Sequence, residues 1–204
     1  MDFAVEAPSF DAMRAEIERR GGVIFLEKPE YLTIRARVPK WGAADFVLCR
    51  KDGSYYDGRR PETVEPGTLM DDLARRDFTM NAIAMTEDGE YIDPFDGRKH
   101  IEEGVIYCVG SAEERFAEDY LRMLRALRFA VTKNMRLSQE IIQCLINPVL
   151  AGKIEDVAIE RVREEMLKAF RHDTSQTLML LEDFRHVKHA VFGSTLWLKP
   201  TLEA

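Results

Sequence analysis

The chain opens with short runs in which apolar side chains alternate with polar ones or crowd together over the length of one strand. DFAVE, VIFLE, YLTIRARV and ADFVLCR are four such runs and predict four strands between residues 2 and 50. After the first of them, SFDAMRAEIERRGG carries its apolar residues at helical spacing, with Ser9 where an N-cap belongs and two glycines at its end. KDGSYYDGRRPETVEPGT follows, a polar stretch rich in turn residues, and a loop of that length is more often functional than idle. A short helix over MDDLARRDF and strands around NAIAM, EYIDP and VIYCVG come next. Beyond Gly110 the period changes. SAEERF, DYLRMLRALRFAVTKN, SQEIIQCLINPVLAG, AIERVREEMLKAF and TSQTLMLLEDFRHV all repeat at helical spacing, with no strand pattern among them. The pattern therefore predicts an α+β protein: a mixed head over residues 1–110 and an all-helical neck over 111–204.

Composition narrows the class. With 46% hydrophobic and 32% charged residues in 204, the chain reads as an ordinary soluble protein with room for one sizeable domain or two small ones. No apolar run approaches the ~18 residues of a membrane span, and MDFAVEAPSF lacks the basic and apolar regions of a signal peptide, so a cytoplasmic location and no membrane partner are expected. Cys49, Cys108 and Cys144 lie far apart in apolar surroundings, which predicts buried free thiols rather than disulfides or a zinc site. A net charge of -7 argues against a protein that coats nucleic acid non-specifically, while leaving room for a local basic groove.

One helix holds the first chemical signal. EDYLRMLRALRFA, residues 118–130, places Asp119, Arg122, Arg125 and Arg128 at every third position, a ridge beside that of Leu121, Leu124 and Leu127. One reading is an amphipathic helix whose arginines sit in solvent or pair with Glu118 and Asp119, worth a few tenths of a kcal/mol. The other begins from base chemistry: a carboxylate accepts and a guanidinium donates, so Asp119 and Arg122 can complement the Watson–Crick edges of cytosine and adenine and oppose those of uracil and guanine. Arg125 and Arg128 would then hold the triphosphate or steer the pair.

DDLARRDFTMNAIAM, residues 71–85, adds a second signal. Together with YYDGRRP before it, YIDPFDG after it, EDYLRMLRALRFA beyond and ERVREEML near Arg163, it resembles the class II tRNA nucleotidyltransferase and poly(A) polymerase family, in order from Asp2 onward. The resemblance implies a nucleotidyltransferase head, with a mixed sheet flanked by helices, followed by the helical neck. It also implies transfer of CMP and AMP from CTP and ATP to an RNA 3′ end, with tRNA as the expected acceptor. By the same resemblance Arg76 handles ribose and phosphates, supported by Arg75, Asp77 and Asn81, and the ridge of Asp119, Arg122, Arg125 and Arg128 reads the base. Phe78 and Asn81 can equally cap and pack a strand–helix junction. The implied chemistry uses two Mg²⁺ ions about 4 Å apart, held by carboxylates on adjacent strands. Asp2 aligns with the second member of the family's acidic pair and Asp45 with its third carboxylate; otherwise these are a terminal surface residue and an edge-strand acid. Two rival readings remain. A poly(A) polymerase shares the motifs and differs in CTP use, and a silent nucleotide- or RNA-binding relic or partner subunit belongs to another class.

The pattern also departs from the family. The first metal-binding aspartate and a Gly-Gly segment are expected ahead of Met1, and their loss predicts an exposed sheet edge. Such an edge invites a complementing N-terminal segment or a second copy of the chain, and the chain alone is then expected to be nearly inactive. His100 stands where the family has an aspartate and Tyr107 where it has an arginine. His172, His186 and His189 have no ligand spacing and read as surface residues. The chain stops soon after the neck, before the helices with which tRNA-specific members grip their substrate.

Overall fold

A computed structural model of the chain describes residues 1–53 and 63–193. The YYDGRRP motif at 55–61 lies outside the described residues. Among these, the chain packs as two compact units, one over 1–53 and 63–76 and the other over 77–193.

The first unit is built on a four-stranded mixed sheet. In chain order it contains β1 (Asp2–Val5), α1 (Phe10–Arg19), β2 (Val23–Lys28), β3 (Thr33–Val38) and β4 (Gly42–Leu48). The strands lie in the order β1-β4-β3-β2, with β1 parallel to β4 and the remaining pairs antiparallel. Ser9 does cap α1, its hydroxyl accepting from the Ala12 amide at 3.1 Å. The helix lays Met13 and Ile17 against Ile34, Ala36 and Leu48, which forms this unit's core. Each fully buried side chain of that size is worth about 1.5–3 kcal/mol. Because side chains alternate across a strand, burying Ile34, Ala36 and Val38 turns Thr33, Arg35 and Arg37 to the opposite face of β3. A short hairpin of β5 (Arg50–Asp52) and β6 (Val64–Pro66) leads into α2 (Leu69–Ala74). A reciprocal capping box between Thr68 and Asp71 starts that helix.

The second unit begins inside the 71–85 motif. The pair β7 (Ala84–Met85) and β8 (Tyr91–Ile92), then α3 (Gly97–Glu103) and β9 (Val105–Ile106), precede α4 (Ala112–Glu118) and α5 (Leu121–Lys133). After these come β10 (Arg136–Leu137), α6 (Gln139–Ile146), α7 (Pro148–Gly152), α8 (Ile159–His172), α9 (Thr174–Asp183) and α10 (Arg185–Phe192). Its core joins Phe78, Ile106 and Cys108 to Phe116, Met123, Leu124, Leu127, Ile141, Leu145 and Met166. Packing therefore divides the chain at Arg76/Asp77, upstream of the change in sequence period near 110, because the apolar residues between these points are buried against helices.

The helical expectation for 111–204 needs one correction. Asn134, in the left-handed region at φ 50°, ends α5 and turns the chain into β10, which pairs in parallel with β9. Two predicted helices are also divided. Asn147 ends α6 and caps α7, its side-chain oxygen accepting from the amides of Val149 and Leu150. Phe184, at φ -110° and ψ 66°, separates α9 from α10. As expected, the three cysteines are free and buried. Burial pushes the Cys49 thiol up to about 11 and raises Cys108 and Cys144 as well, so none serves as a thiolate.

Candidate functional site

In the first unit Asp2 and Asp45 are register partners on the parallel strands β1 and β4. Paired residues on adjacent strands stand about 4.8 Å apart and project to one face, so the two carboxylates share a face. Arg35 is the register partner of Asp45 on the other side. Its Nε and Nη2 donate to the two carboxylate oxygens of Asp45 at 2.5 and 2.6 Å. The bonds from Arg35, reinforced by its charge, hold the Asp45 carboxyl below the usual aspartate range. Arg35 in turn is raised, first by its bond to Asp45 and also by the nearby charge of Asp2.

No three His, Cys, Asp or Glu side chains among the described residues converge as a ready metal cluster. Mg²⁺ does not need one, since it commonly binds through one or two carboxylates plus waters and substrate phosphates. Two hard carboxylates on one face of adjacent strands fit that habit, with Arg35 as the competing cation.

At the end of α2, Arg75 and Arg76 gather on Asp72, which is 2% exposed. Asp72 accepts from Arg75 at 2.5 and 3.0 Å and from Arg76 at 3.1 Å. The burial of this carboxylate is stabilised by both cations, and it fixes the direction of two guanidinium groups. Sequence reasoning missed Asp72, although its i,i+3 and i,i+4 spacing to Arg75 and Arg76 on a helix is the signal that would have found it.

In the second unit Asp77 is a hub. Its Oδ1 accepts from the Phe78 amide and the Asn81 side-chain amide, both at 2.9 Å. Its Oδ2 accepts from Arg125 at 2.6 and 2.7 Å. Three predicted residues, Asp77, Asn81 and Arg125, are thus brought together. The rest of the ridge is tied elsewhere. Asp119 sits between α4 and α5, accepting from the Leu121 amide at 3.1 Å and from Arg161 of α8 at 2.8 and 3.3 Å. Arg122, only 9% exposed, donates to Glu118 at 2.5 Å and to the Arg115 carbonyl at 3.0 Å. Arg128 donates to Glu165 of α8 at 2.5 Å and lies 3.9 Å from the Phe129 ring centroid.

The reading of the ridge as solvated arginines therefore fails for Arg122, while its pairing with Glu118 holds. Arg161 and Glu165, both inside ERVREEML, were not singled out by sequence reasoning; that motif is the signal that carries them. Phe78 is wholly buried in the core, and Asn81 braces Asp77. The two positions that depart from the family pattern touch each other: the rings of His100 and Tyr107 lie 4.1 Å apart, and His100 Nδ1 is 2.9 Å from the Thr79 hydroxyl. A groove of about 810 Å³ in this unit, lined by Met135, Leu137, Ile142, Leu180 and Phe184 among others, includes none of the predicted residues.

The sequence model of the family described as "Poly A polymerase head domain" matches residues 1–107. A CCA-adding enzyme of Leuconostoc mesenteroides is 46% identical over 125 residues, which is 61% of this chain and 31% of that protein. One from Geobacillus kaustophilus is 45% identical over 145 residues, 69% of this chain and 35% of that protein. The chain thus spans about a third of the length of these relatives. Among solved structures, the Bacillus stearothermophilus CCA-adding enzyme in complex with CTP superposes with a TM-score of 0.74 at 34% identity, over 88% of this chain and 42% of that one. A tRNA nucleotidyltransferase complexed with a primer tRNA and an incoming ATP analog gives a TM-score of 0.75 at 31% identity, over 97% and 55%.

Proposed function

Because the chain belongs to the Poly A polymerase head domain family, we propose that it is the head and neck of an RNA 3′-end nucleotidyltransferase. It adds CMP and AMP, from CTP and ATP, to the 3′ end of a tRNA. The observation that carries this reading is the in-register placement of Asp2 and Asp45 on one face of neighbouring strands. The first unit then does metal and phosphate work. Asp2 and Asp45 would hold Mg²⁺, which would supply neutralisation of charge on the triphosphate. Arg75 and Arg76, aimed by Asp72, offer a paired guanidinium surface to phosphate oxygens.

The second unit does base work. Asp119 accepts from the exocyclic amino group of cytosine or adenine, and Arg122 donates to the ring nitrogen beside it. Pairing with Arg161 and Glu118 orients the Asp119 carboxylate and the Arg122 guanidinium. Arg125, held by Asp77, which Asn81 braces, supports the same face of the helix.

The test is incorporation of labelled CTP and ATP into tRNA lacking its CCA end, with Mg²⁺, by the chain complemented with a Gly-Gly segment that carries a further aspartate. Addition of C and A but not U or G, lost in Asp45→Ala, is the expected result. Tailing with ATP alone would make the chain a poly(A) polymerase. Binding of CTP and ATP without any transfer would make it a nucleotide-binding module.

A further inference from the structure

Arg35 is the residue on the metal face that no catalytic expectation covers. It reaches Asp45 directly across the β3–β4 pair and engages both carboxylate oxygens, at 2.5 and 2.6 Å. Its own side chain is half exposed, so nothing in the core fixes it there. A divalent ion binding Asp45 would sit at ~2.0–2.1 Å from an oxygen that already holds a guanidinium nitrogen. Two cations cannot share that space without strong repulsion. The neighbouring carboxylate, Asp2, is the second ligand the ion would use.

We propose that Arg35 is the resident counter-cation of the metal site: it occupies Asp45 in the metal-free protein, and a divalent ion must displace it to bind. Arg35 therefore sets the metal affinity of the face. Metal entry frees a guanidinium on the same strand as Arg37, two residues along and on the same face of β3. The inference rests on the assignment of Asp2 and Asp45 as metal ligands.

The measurement is Mn²⁺ binding by the whole chain, followed by loss of the free-ion electron paramagnetic resonance signal, with no nucleotide or RNA present. Arg35→Gln should bind Mn²⁺ roughly fivefold more tightly than wild type, the scale of one partly exposed ion pair. Arg35→Lys, which keeps the charge but loses the two-pronged contact, should fall between the two. It also serves if the glutamine variant does not fold. Unchanged or weaker Mn²⁺ binding in a folded Arg35→Gln or Arg35→Lys variant would overturn the role of Arg35. Asp45→Ala separates the two layers of the argument. If it leaves Mn²⁺ binding at the wild-type level, the metal-site assignment itself is lost, and with it the proposal. If it abolishes binding while the Arg35 variants bind no more tightly, only the counter-cation role is lost.

Discussion

Glu165→Ala is the substitution that most sharply separates a structural arginine from a substrate-binding one. Glu165 is 4% exposed and takes the Arg128 guanidinium at 2.5 Å, while Arg128 itself stacks on Phe129. The side chains are 6% and 13% exposed, so the pair is nearly dry. Removing one partner of such a pair strands the other charge and costs about 3–5 kcal/mol. At about 2–4 °C per kcal/mol for a chain of this size, the melting temperature should fall by about 6–20 °C. Arg128→Met should cost less, because Lys168, 3.6 Å from Glu165 and half exposed, remains as a counter-charge. The double variant Arg128→Met/Glu165→Leu leaves no buried charge and should return to within ~1 kcal/mol of wild type. Urea unfolding followed by circular dichroism reads all three. A Glu165→Ala protein within ~1 kcal/mol of wild type would refute the reasoning and mark Arg128 as a solvated cation available to a ligand. CTP binding retained by the double variant would place Arg128 outside the nucleotide site.

Asp119→Ala should erode discrimination against UTP and GTP by about one to two orders of magnitude, since each mismatched buried hydrogen bond costs ~1–3 kcal/mol; competition between labelled nucleotides measures it, and unaltered selectivity in a folded variant would assign Asp119 to fold maintenance with Arg161. Gly97→Ala puts a Cβ 2.2 Å from the Thr79 carbonyl oxygen and should cost about 1–3 kcal/mol as α3 is pushed outward, which a thermal melt checks; a change within about 0.5 kcal/mol would show that the contact relaxes freely. Arg35 holds the Asp45 carboxyl below its ordinary value of 3.8, so the pair contributes stability above that value that is lost as pH falls through the folded pKa. The stability difference between wild type and Asp45→Asn should therefore close on the acid side in a pH series of urea titrations, and a constant difference down to acid would show that the pair does not titrate with folding.

Local signals in the sequence carried most of the first unit. The strands of 2–48 show because β3 alternates cleanly and α1 has both a serine cap and an apolar stripe. The candidate site residues came through motifs, but of their partners only Glu118, four residues from Arg122, was legible. Arg35 meets Asp45 only through the β3–β4 register, and no local period announces which residues face each other across a turn. Asp119 and Arg128 find their counter-charges on α8, more than thirty residues onward, so pairing there depends on how two helices pack. β10, Arg136–Leu137 between α5 and α6, was hidden because it lacks the adjacent apolar residues that marked the equally short β7, β8 and β9. α3 was hidden by an unusual start: Asp96 lies in the left-handed region, and Asp93 supplies the cap by accepting from the amides of Gly97 and Arg98.

The short parallel pair of β9 and β10 acts as a clasp. The Arg136 amide donates to the Gly104 carbonyl at 2.8 Å and the Ser138 amide to the Ile106 carbonyl at 3.0 Å. These two bonds fasten the exit of α5 to the chain just ahead of α4, closing the helical pair into a loop whose ends are joined by main chain. Neither helix can slide along its axis past the other without opening the clasp. The amide protons of Arg136 and Ser138 should therefore exchange with solvent at least as fast as the helical pair comes apart, so their exchange sets an upper bound on its opening.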